Sequence, residues 1–496
     1  MKTSAAILVL AVRLSTAKAE LAKEKRKVVK KLLVGKAPGV DEIRPEFLKA
    51  LDVVGLSWLT RFCNIAWTLG AVPLDWQTGV VVPLFKKGDR RVCFNYRGIT
   101  PLSLPGKVYS GVLERRVHQI VEPRIQEEQC GFCPGRGTLD QLYTLGRVFE
   151  GAWKFAQPVH MCFVDLEKAF DRVPWGVLWG VLREYEMSGP LIQAGRSLYN
   201  RCPSLVRIAG SRTRFQISRC SHGVEGVQFG DLRIGSLLFA DDVVLLASSA
   251  RNLQRSLDRF AAACEAAGMK ISTSKSKAMV LNQKKVECLL RVKEEILPQV
   301  EELKYLGVLF TSKGRMEQEI DRRSGAASAV MWTLHWSVVM KRERSQKAKL
   351  WIYWSTFVPT LTYGHELWVM TKRTRSLVQA AKMSFLRRVA GLFFRDRVRS
   401  SAIWEELGVK PLLPHVERSQ MRWLGHLVRM LHGRLPGEVV RACPSGRRPP
   451  GRTRWRDYVS RLVWEHMGIP PDELEEVAGE REVWTQISVK QQWLIA

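Results

Sequence analysis

The sequence has little that would place it in a membrane or cross-link it with disulfides. No stretch comes near the roughly 18 uninterrupted apolar residues that a membrane-spanning helix needs. The 10 cysteines among 496 residues are scattered without the spacing of a disulfide framework. Cys130 and Cys133 form one C-x-x-C pair, but no second pair or histidine partner follows at zinc-ligand spacing. We therefore expect reduced thiols in an intracellular chain that does not span a bilayer.

The first residues contain only a weak imitation of a secretory signal. Lys2 precedes a short apolar stretch, residues 5–12, but Arg13 ends that stretch and a basic, helix-forming segment follows at once. Residues 17–33 combine Ala, Leu, Glu and Lys in a pattern that predicts a charged helix. We interpret residues 1–34 as a basic helical extension.

Acidic residues are few relative to basic ones. The chain has 78 Lys+Arg against 48 Asp+Glu, a net charge of +30 with a pI near 10.0. A hydrophobic fraction of 46% excludes a fully disordered basic tail. So much positive charge indicates a polyanionic partner, either nucleic acid or an anionic membrane surface. The chain has no amphipathic anchor segment, which disfavours the membrane.

The positive charge is concentrated late in the chain. Residues 371–460 hold 20 Lys+Arg and 6 Asp+Glu, a net charge of +14. Trp404, Trp423 and Trp455 are interleaved with these basic residues. Such a pattern suits phosphate contacts with base stacking, but it also suits an ordinary solvated helical surface over a tryptophan-containing core.

The apolar pattern predicts a chain of the α+β class. We expect strands at residues 80–85, 161–164, 279–281 and 303–310, and a hairpin at residues 237–247. We expect helices at residues 138–153, 175–185 and 253–267. Beyond Ser312 the pattern is mostly helical, and no internal repeat is found. The length by itself suggests about three domains.

Two adjacent carboxylates interrupt the predicted hairpin. Asp241 and Asp242 stand between two apolar segments. Charges surrounded by apolar residues are costly unless a cation compensates them, and a divalent metal is the simplest cation. The pair also suits the tip of a hairpin as ordinary turn chemistry. Both interpretations predict a tight turn at this point.

A second acidic strand end supports the metal interpretation. Asp165 follows the apolar strand predicted at residues 161–164. Two divalent ions about 3.5–4 Å apart need bridging carboxylates, which Asp165, Asp241 and Asp242 could supply from neighbouring strands. Mg²⁺ suits such an open cluster because it keeps waters and binds substrate phosphates. Asp171 precedes Pro174 and a predicted helix, so we interpret it as a helix N-cap.

These segments together resemble the reverse transcriptases of LINE-type non-LTR retrotransposons, most closely those of vertebrates. Four segments resemble motifs A, C, D and E: Asp165-x4-Phe170, Phe239-Ala240-Asp241-Asp242, Gly268-Met269-Lys270-Ile271 with Lys275, and Lys304-Tyr305-Leu306-Gly307. Three earlier segments resemble fingers motifs: residues 35–41, 95–99 and Gln129-Cys130-Gly131-Phe132. Two later ones, residues 363–368 and 422–426, resemble the post-polymerase region. The resemblance extends from about residue 30 to near the end of the chain.

The resemblance implies a right-hand polymerase with fingers, palm and helical thumb. It assigns residues 35–158 to the fingers, 159–311 to a palm with an antiparallel sheet, and 312–440 to the thumb and a helical post-polymerase region. Residues 441–496 would form a basic Arg/Pro/Gly tract and a helical tail. The implied partners are an RNA template, a DNA primer and deoxynucleoside triphosphates, and the implied location is the nucleus or a ribonucleoprotein particle.

The resemblance also implies roles for individual residues. Asp165, Asp241 and Asp242 would hold two Mg²⁺ ions, and Phe170 would exclude a ribose 2′-hydroxyl. Lys275 would donate a proton to pyrophosphate. The triphosphate would be bound by basic residues of the fingers, namely Lys86, Lys87 and Arg97.

One expected motif is missing from the sequence. The Gln-Gly-x-x-x-Ser-Pro segment of motif B, which opens a palm helix, does not occur between Asp165 and Phe239. The sequence reads as two family segments joined between Phe215 and Arg219, with roughly twenty residues absent. We therefore expect impaired polymerase activity, with a catalytically inactive RNA- or DNA-binding remnant as the alternative. We also expect no endonuclease domain in this chain.

Overall fold

The computed structural model describes most of the chain as two compact units. The described residues are 24, 26–154, 157–167, 174–200, 204–206, 227–229, 232–282, 286–314, 316–334, 345–392, 394–442 and 453–490. Unit 1 comprises Met1–Ile125, Lys168–Cys220 and Ala266–Met269, and unit 2 comprises Gln126–Glu167, Ser221–Glu265 and Lys270–Ala496. Several features discussed above lie outside the described residues: the apolar stretch 5–12, Phe170, Asp171 and the junction at 215–219.

Strands and helices alternate in the first two thirds of the chain, and helices follow. The strands are β1 Gly79–Phe85, β2 Tyr96–Ile99, β3 Val159–Asp165, β4 Ser204–Val206, β5 Val227–Phe229, β6 Leu232–Ile234, β7 Ser236–Phe239, β8 Asp242–Ala247, β9 Lys277–Leu281, β10 Arg291–Val292, β11 Glu295–Ile296, β12 Glu302–Tyr305 and β13 Val308–Thr311. The helices are α1 26–31, α2 Pro45–Ala50, α3 Val53–Leu69, α4 Leu74–Gln77, α5 Leu104–Val121, α6 Thr138–Lys154, α7 Trp175–Glu184, α8 Gly189–Tyr199, α9 Ala250–Ala266, α10 Glu317–Leu334, α11 Gln346–Ile352, α12 Val358–Thr362, α13 Lys372–Val389, α14 Ser400–Leu407, α15 Leu412–Val428, α16 Leu435–Arg441, α17 Trp455–Met467, α18 Leu474–Gly479 and α19 Arg481–Lys490. This mixture confirms the predicted α+β class.

Unit 1 packs helices beside a small mixed sheet. Its strands have the order β2-β1-β4, with β1 antiparallel to β2 and parallel to β4. Helix α3 begins where the Asp52 side chain accepts a hydrogen bond from Gly55 N, and it ends at Gly70 with φ 61°. The Trp76 and Tyr109 rings are centred 5.4 Å apart in the core. The core of unit 1 contains side chains from α2, α3, α4, α5, α7 and α8.

Unit 2 is built around an antiparallel sheet of order β7-β8-β3-β9. The central strand β3 is paired on both sides, and every residue from Val159 to Val164 is buried. This explains its continuous apolar sequence, since both faces of the strand are covered. Residues of α6, including Leu142 and Leu145, belong to the same core cluster as the strands. The register of the sheet therefore sets which residues lie side by side at the ends of β3 and β8.

The prediction of a single strand at residues 303–310 is wrong in one respect, because two strands occupy this stretch. β12 and β13 form a hairpin in which Tyr305 pairs with Val308. Leu306 and Gly307, the two turn residues, have φ of 44° and 85°. Two consecutive positive φ angles let the chain reverse in two residues, and this reversal divides the apolar run.

The helices of unit 2 after Ser312 cover a core that contains tryptophan. Trp455 at the start of α17 is fully buried, and its indole N–H donates to the Glu366 carbonyl. A buried ring cannot stack on a base, so the base-stacking interpretation is wrong for Trp455. Trp404 and Trp423 are half-buried and pack against the same core. Among the described residues, no helix combines the length and the apolar character needed to cross a membrane.

Candidate functional site

Two of the predicted site carboxylates lie opposite each other on neighbouring strands. Asp165 is the last residue of β3, Asp242 is the first residue of β8, and the two are paired in the antiparallel register. In such a pair the side chains project from the same face of the sheet, with β-carbons about 4.5–5.5 Å apart. The sheet therefore brings together two carboxylates that are 77 positions apart in the sequence.

The third carboxylate lies in the turn between β7 and β8. Phe239 pairs with Asp242, so Ala240 and Asp241 alone make the turn. Ala240 has φ 58°, a left-handed conformation that is unfavourable for a residue with a β-carbon. Backbone strain of this kind is often found at functional sites, where the surrounding structure enforces it. The predicted tight hairpin is confirmed, with Asp241 at its tip.

The three carboxylates interact electrostatically in unit 2. Removal of water from around its carboxylate raises the pKa of Asp242, and the negative charges of Asp241 and Asp165 raise it further. The residue as a whole remains exposed, so water still reaches the group. This repulsion would be relieved by a cation placed between the carboxylates.

A lysine already lies beside one of them. Lys275 Nζ is 3.1 Å from Asp165 Oδ1, with 66% of the lysine side chain and 38% of the aspartate side chain exposed. Two hydrogen bonds hold the segment around Lys275 against Asp165, because Ser272 N donates to the Asp165 carbonyl and Asp165 N donates to Ser276 Oγ. The structure thus brings Lys275 to the predicted carboxylate, over a separation of 110 residues.

The oxygen donors of this site suit magnesium. Mg²⁺ is usually held by one or two protein carboxylates, with waters and substrate phosphates completing its octahedron. Asp165, Asp241 and Asp242 provide such hard donors, and their mutual repulsion is what a divalent ion would neutralise. In the part of the chain that the structure describes, no three or more His, Cys, Asp or Glu side chains converge closely enough to hold a metal ion by themselves. Substrate phosphates would complete such a site.

The basic residues predicted to bind triphosphate lie together on one hairpin of unit 1. Lys86 and Lys87 directly follow β1, and Arg97 is in β2 opposite Leu84. All three residues are exposed. The Lys86 backbone N–H donates to the Asn95 carbonyl, which closes the hairpin.

Sequence reasoning missed two residues that support the site. Gln141 of α6 donates through Nε2 to the carbonyls of Glu128 and Leu238, and Ser276 binds the Asp165 N–H. Neither residue belongs to a local pattern that predicts such a contact, because each partner is distant in the sequence or on another element. The segment Gln129-Cys130-Gly131-Phe132 was assigned to the fingers, and it lies in unit 2.

Comparisons with known proteins identify the domain in which this site lies. The family model for reverse transcriptase (RNA-dependent DNA polymerase) matches residues 85–310, a range that contains Asp165, Asp241, Asp242 and Lys275. The probable RNA-directed DNA polymerase from transposon BS of Drosophila melanogaster is 24% identical over 451 residues, which cover 84% of this chain and 49% of the relative. The corresponding protein of transposon X-element from the same organism is 24% identical over 460 residues, covering 86% and 49%.

Residues 85–310 carry a reverse transcriptase domain, and the relatives that match the chain are RNA-directed DNA polymerases of LINE-type, non-LTR retrotransposons. These matches bear out the resemblance predicted from the sequence, and the mixture of helices and sheet agrees with the predicted right-hand polymerase fold. The chain spans about half the length of these two relatives. A telomerase from Candida tropicalis, solved with a fragment of telomeric RNA, aligns with a TM-score of 0.36 at 10% identity, covering 86% of this chain and 68% of that one.

Proposed function

We propose that this chain performs template-directed DNA synthesis on RNA by two-metal nucleotidyl transfer at Asp165, Asp241 and Asp242. The observation that carries the proposal is the register of β3 and β8, which pairs Asp165 with Asp242 beside the Asp241 turn. Paired carboxylates at the end of a rigid sheet provide a fixed negative site for divalent ions. The proposed substrates are an RNA template, a DNA primer and deoxynucleoside triphosphates.

The chemistry divides between the bound ions and the protein. Two Mg²⁺ ions, when bound, would activate the primer 3′-hydroxyl and neutralise charge on the triphosphate. Asp165, Asp241 and Asp242 would hold them, and the strained Ala240–Asp241 turn would keep the tip carboxylate in place. Lys275 would supply a cation and a proton close to Asp165. We propose triphosphate binding for Lys86, Lys87 and Arg97, and sugar selection for Phe170.

The second candidate function is nucleic-acid binding without catalysis. The observation that favours it is the missing motif B, since loss of a palm helix removes support for the template. The excess of positive charge would survive such a loss, and it suits phosphate contacts in a nuclear or ribonucleoprotein setting. We infer impaired synthesis, with binding of RNA and DNA retained.

Primer extension tests the proposal. The purified chain is given a labelled DNA primer on an RNA template, all four deoxynucleotides and Mg²⁺. We compare it with Asp241→Asn, which removes the charge at the tip, and with Asp321→Asn, a matched change at an exposed aspartate of α10. Extension by the wild type and Asp321→Asn, with at least a hundredfold loss in Asp241→Asn, supports catalysis.

Binding measured with the same proteins separates the two candidate functions. Equal extension by all three proteins would refute the role proposed for Asp241, and no extension by any of them would refute the polymerase proposal. If no protein extends the primer, binding of the duplex that persists in Asp241→Asn and weakens steeply with salt would identify the binding remnant.

A further inference from the structure

One polar side chain contacts the backbone of the proposed catalytic turn directly. Gln129 Oε1 accepts hydrogen bonds from Ala240 N at 3.1 Å and from Gly131 N at 2.7 Å. Both partners are donors, so the amide must present its oxygen to them. We propose that Gln129 is a positioning residue that fixes the Ala240–Asp241 turn and thereby the Asp241 carboxylate. This inference rests on the proposed function, in which Asp241 binds metal ions.

The turn needs an external acceptor at this point. Within a two-residue hairpin turn, the closing hydrogen bond joins the residues that flank the turn, here Phe239 and Asp242. The N–H of the first turn residue has no partner in the hairpin, and an amide N–H away from bulk water needs one. Gln129 supplies that acceptor across a separation of 111 residues.

The backbone around Gln129 holds it against the same hairpin. Leu238 N donates to the Glu128 carbonyl at 2.9 Å, and Cys130 N donates to the Leu238 carbonyl at 2.8 Å. Gln129 thus forms a parallel bridge with Leu238, along the open edge of β7. The Gln129 side chain therefore projects from a backbone segment that is already hydrogen-bonded to β7, the strand that leads into the turn.

Gly131 allows the segment to come this close. A β-carbon at position 131 would lie 2.1 Å from Ala240 N and 2.8 Å from Ala240 Cα. No side chain fits at these distances, so only glycine leaves the Ala240 N–H accessible to Gln129. The glycine and the glutamine therefore act on the same peptide group, one by leaving space and the other by accepting a hydrogen bond.

The hydrogen bond between Ala240 N and Gln129 stabilises a turn that is strained. Ala240 has φ 58°, and an alanine adopts that conformation only where neighbouring contacts enforce it. The hydrogen bond from Ala240 N to Gln129 opposes relaxation of the turn. Relaxation would rotate the next residue, Asp241, and would move its carboxylate relative to Asp165 and Asp242.

Arg136 and Arg434 also contact the segment that carries Gln129. Arg136, nearly buried, donates through Nη1 to the carbonyls of Gln126, Glu127 and Gln129, and through Nη2 to the Glu127 carboxylate. Arg434 Nε lies 3.2 Å from the same carboxylate. The segment is therefore a stiff support, which is what a positioning residue needs.

Two substitutions of Gln129 separate a positioning role from simple packing. Gln129→Met keeps the length of the side chain and removes the carbonyl oxygen. Gln129→Glu keeps an oxygen acceptor at the same reach. We measure amide hydrogen exchange of the Ala240–Asp241 turn in metal-free protein, the midpoint of Mn²⁺ binding, thermal unfolding, and primer extension against substrate concentration.

We expect exchange at the turn to accelerate about five- to tenfold in Gln129→Met, because one hydrogen bond is lost. Gln129→Glu should restore the wild-type exchange rate. Mn²⁺ binding should weaken at least threefold in Gln129→Met, and kcat for extension should fall about 10- to 100-fold with KM for the primer–template unchanged. The unfolding temperature should change by no more than about 3 °C, as expected for a half-buried hydrogen bond.

Two results would overturn the inference: unchanged exchange at the turn in Gln129→Met, or exchange in Gln129→Glu as fast as in Gln129→Met. If Gln129→Met does not fold, Gln129→Asn replaces it, because its shorter side chain keeps the amide but does not reach Ala240 N.

Exchange and Mn²⁺ binding do not require polymerase activity. A chain that fails to extend primers therefore refutes the proposed function, while the positioning role is decided by exchange alone.

Discussion

Asp165 and Asp242 face each other across β3 and β8, the last residue of one strand opposite the first residue of the other. This relationship places like charges at one end of a sheet whose interior is fully buried. Like charges directly opposite each other destabilise a strand pair. The arrangement is unfavourable for folding and favourable for binding a cation, which is typical of a functional site.

Replacing Asp242 with asparagine should stabilise the protein when no metal is present. The change removes a charge that repels Asp165 and Asp241, while the shape of the side chain is kept. Because the residue is exposed, solvent screening limits the gain to about 0.5 kcal/mol. We expect a slightly higher unfolding temperature in EDTA and no stabilisation on adding Mg²⁺, measured by differential scanning calorimetry. Asp321→Asn is the matched control, and a lower unfolding temperature of Asp242→Asn in EDTA would contradict this account.

Burial of Lys382 should make the free energy of unfolding depend on pH in the alkaline range. The side chain is fully buried in α13, donates through Nζ to the Lys410 carbonyl at 3.2 Å and lies 4.5 Å from the Trp404 ring centre. Burial lowers the pKa of Lys382 from 10.5 to about 8. Between these values the unfolded chain binds a proton that the folded protein does not, so stability rises with pH.

The comparison with Lys382→Met isolates this effect from other titrating groups. We expect the wild type to gain up to about 3 kcal/mol relative to Lys382→Met as the pH rises from 7 to 10.5. Urea unfolding at several pH values measures the difference. A difference that stays constant over this range would show that the folded protein does not perturb the Lys382 ammonium group.

Trp455 should contribute to stability and not directly to nucleic-acid binding. Its ring packs edge-on against Tyr143 at 5.2 Å, and its backbone N–H donates to Glu150 Oε1. Trp455→Ala should lower the free energy of unfolding by about 3–5 kcal/mol, the usual cost of removing a buried tryptophan.

Trp455→Phe serves as the control for binding, because it preserves most of the core volume. We expect it to bind an RNA–DNA duplex within twofold of the wild type in a fluorescence titration. A tenfold loss of affinity in a well-folded Trp455→Phe protein would instead restore the base-stacking interpretation.

Arg434 and Glu127 should couple energetically. Arg434 Nε is 3.2 Å from Glu127 Oε2, with 20% and 38% of the two side chains exposed. A double-mutant cycle of Arg434→Met and Glu127→Gln, measured by urea unfolding, should give a coupling of about 0.5–1 kcal/mol, reduced by solvent screening. The exposed pair Lys293–Glu265 is the control, and its coupling should be close to zero. Equal coupling for the two pairs would argue against Arg434 as a support of the segment that carries Gln129.

The elements around the site could largely be predicted because they follow local patterns. The β7–β8 hairpin, β3 and α6 all have apolar periodicities that specify their type, and each was confirmed. The β12–β13 hairpin was missed because its turn is made by Leu306 and Gly307 inside an apolar run. Trp455 was ambiguous for a similar reason, since a tryptophan among arginines is consistent with a surface or with a core.

The sequence by itself determined the family, the class of fold and the acidic residues of the candidate site, because these depend on short motifs and local periodicity. Only the tertiary structure decided which groups meet: Asp242 opposite Asp165, Lys275 on the Asp165 carboxylate, and Gln129 on the Ala240 N–H. Such contacts join residues about 80 to 110 positions apart in the sequence, and their geometry depends on strand register and on the close approach that Gly131 permits. Neither property is encoded in the neighbours of any one residue.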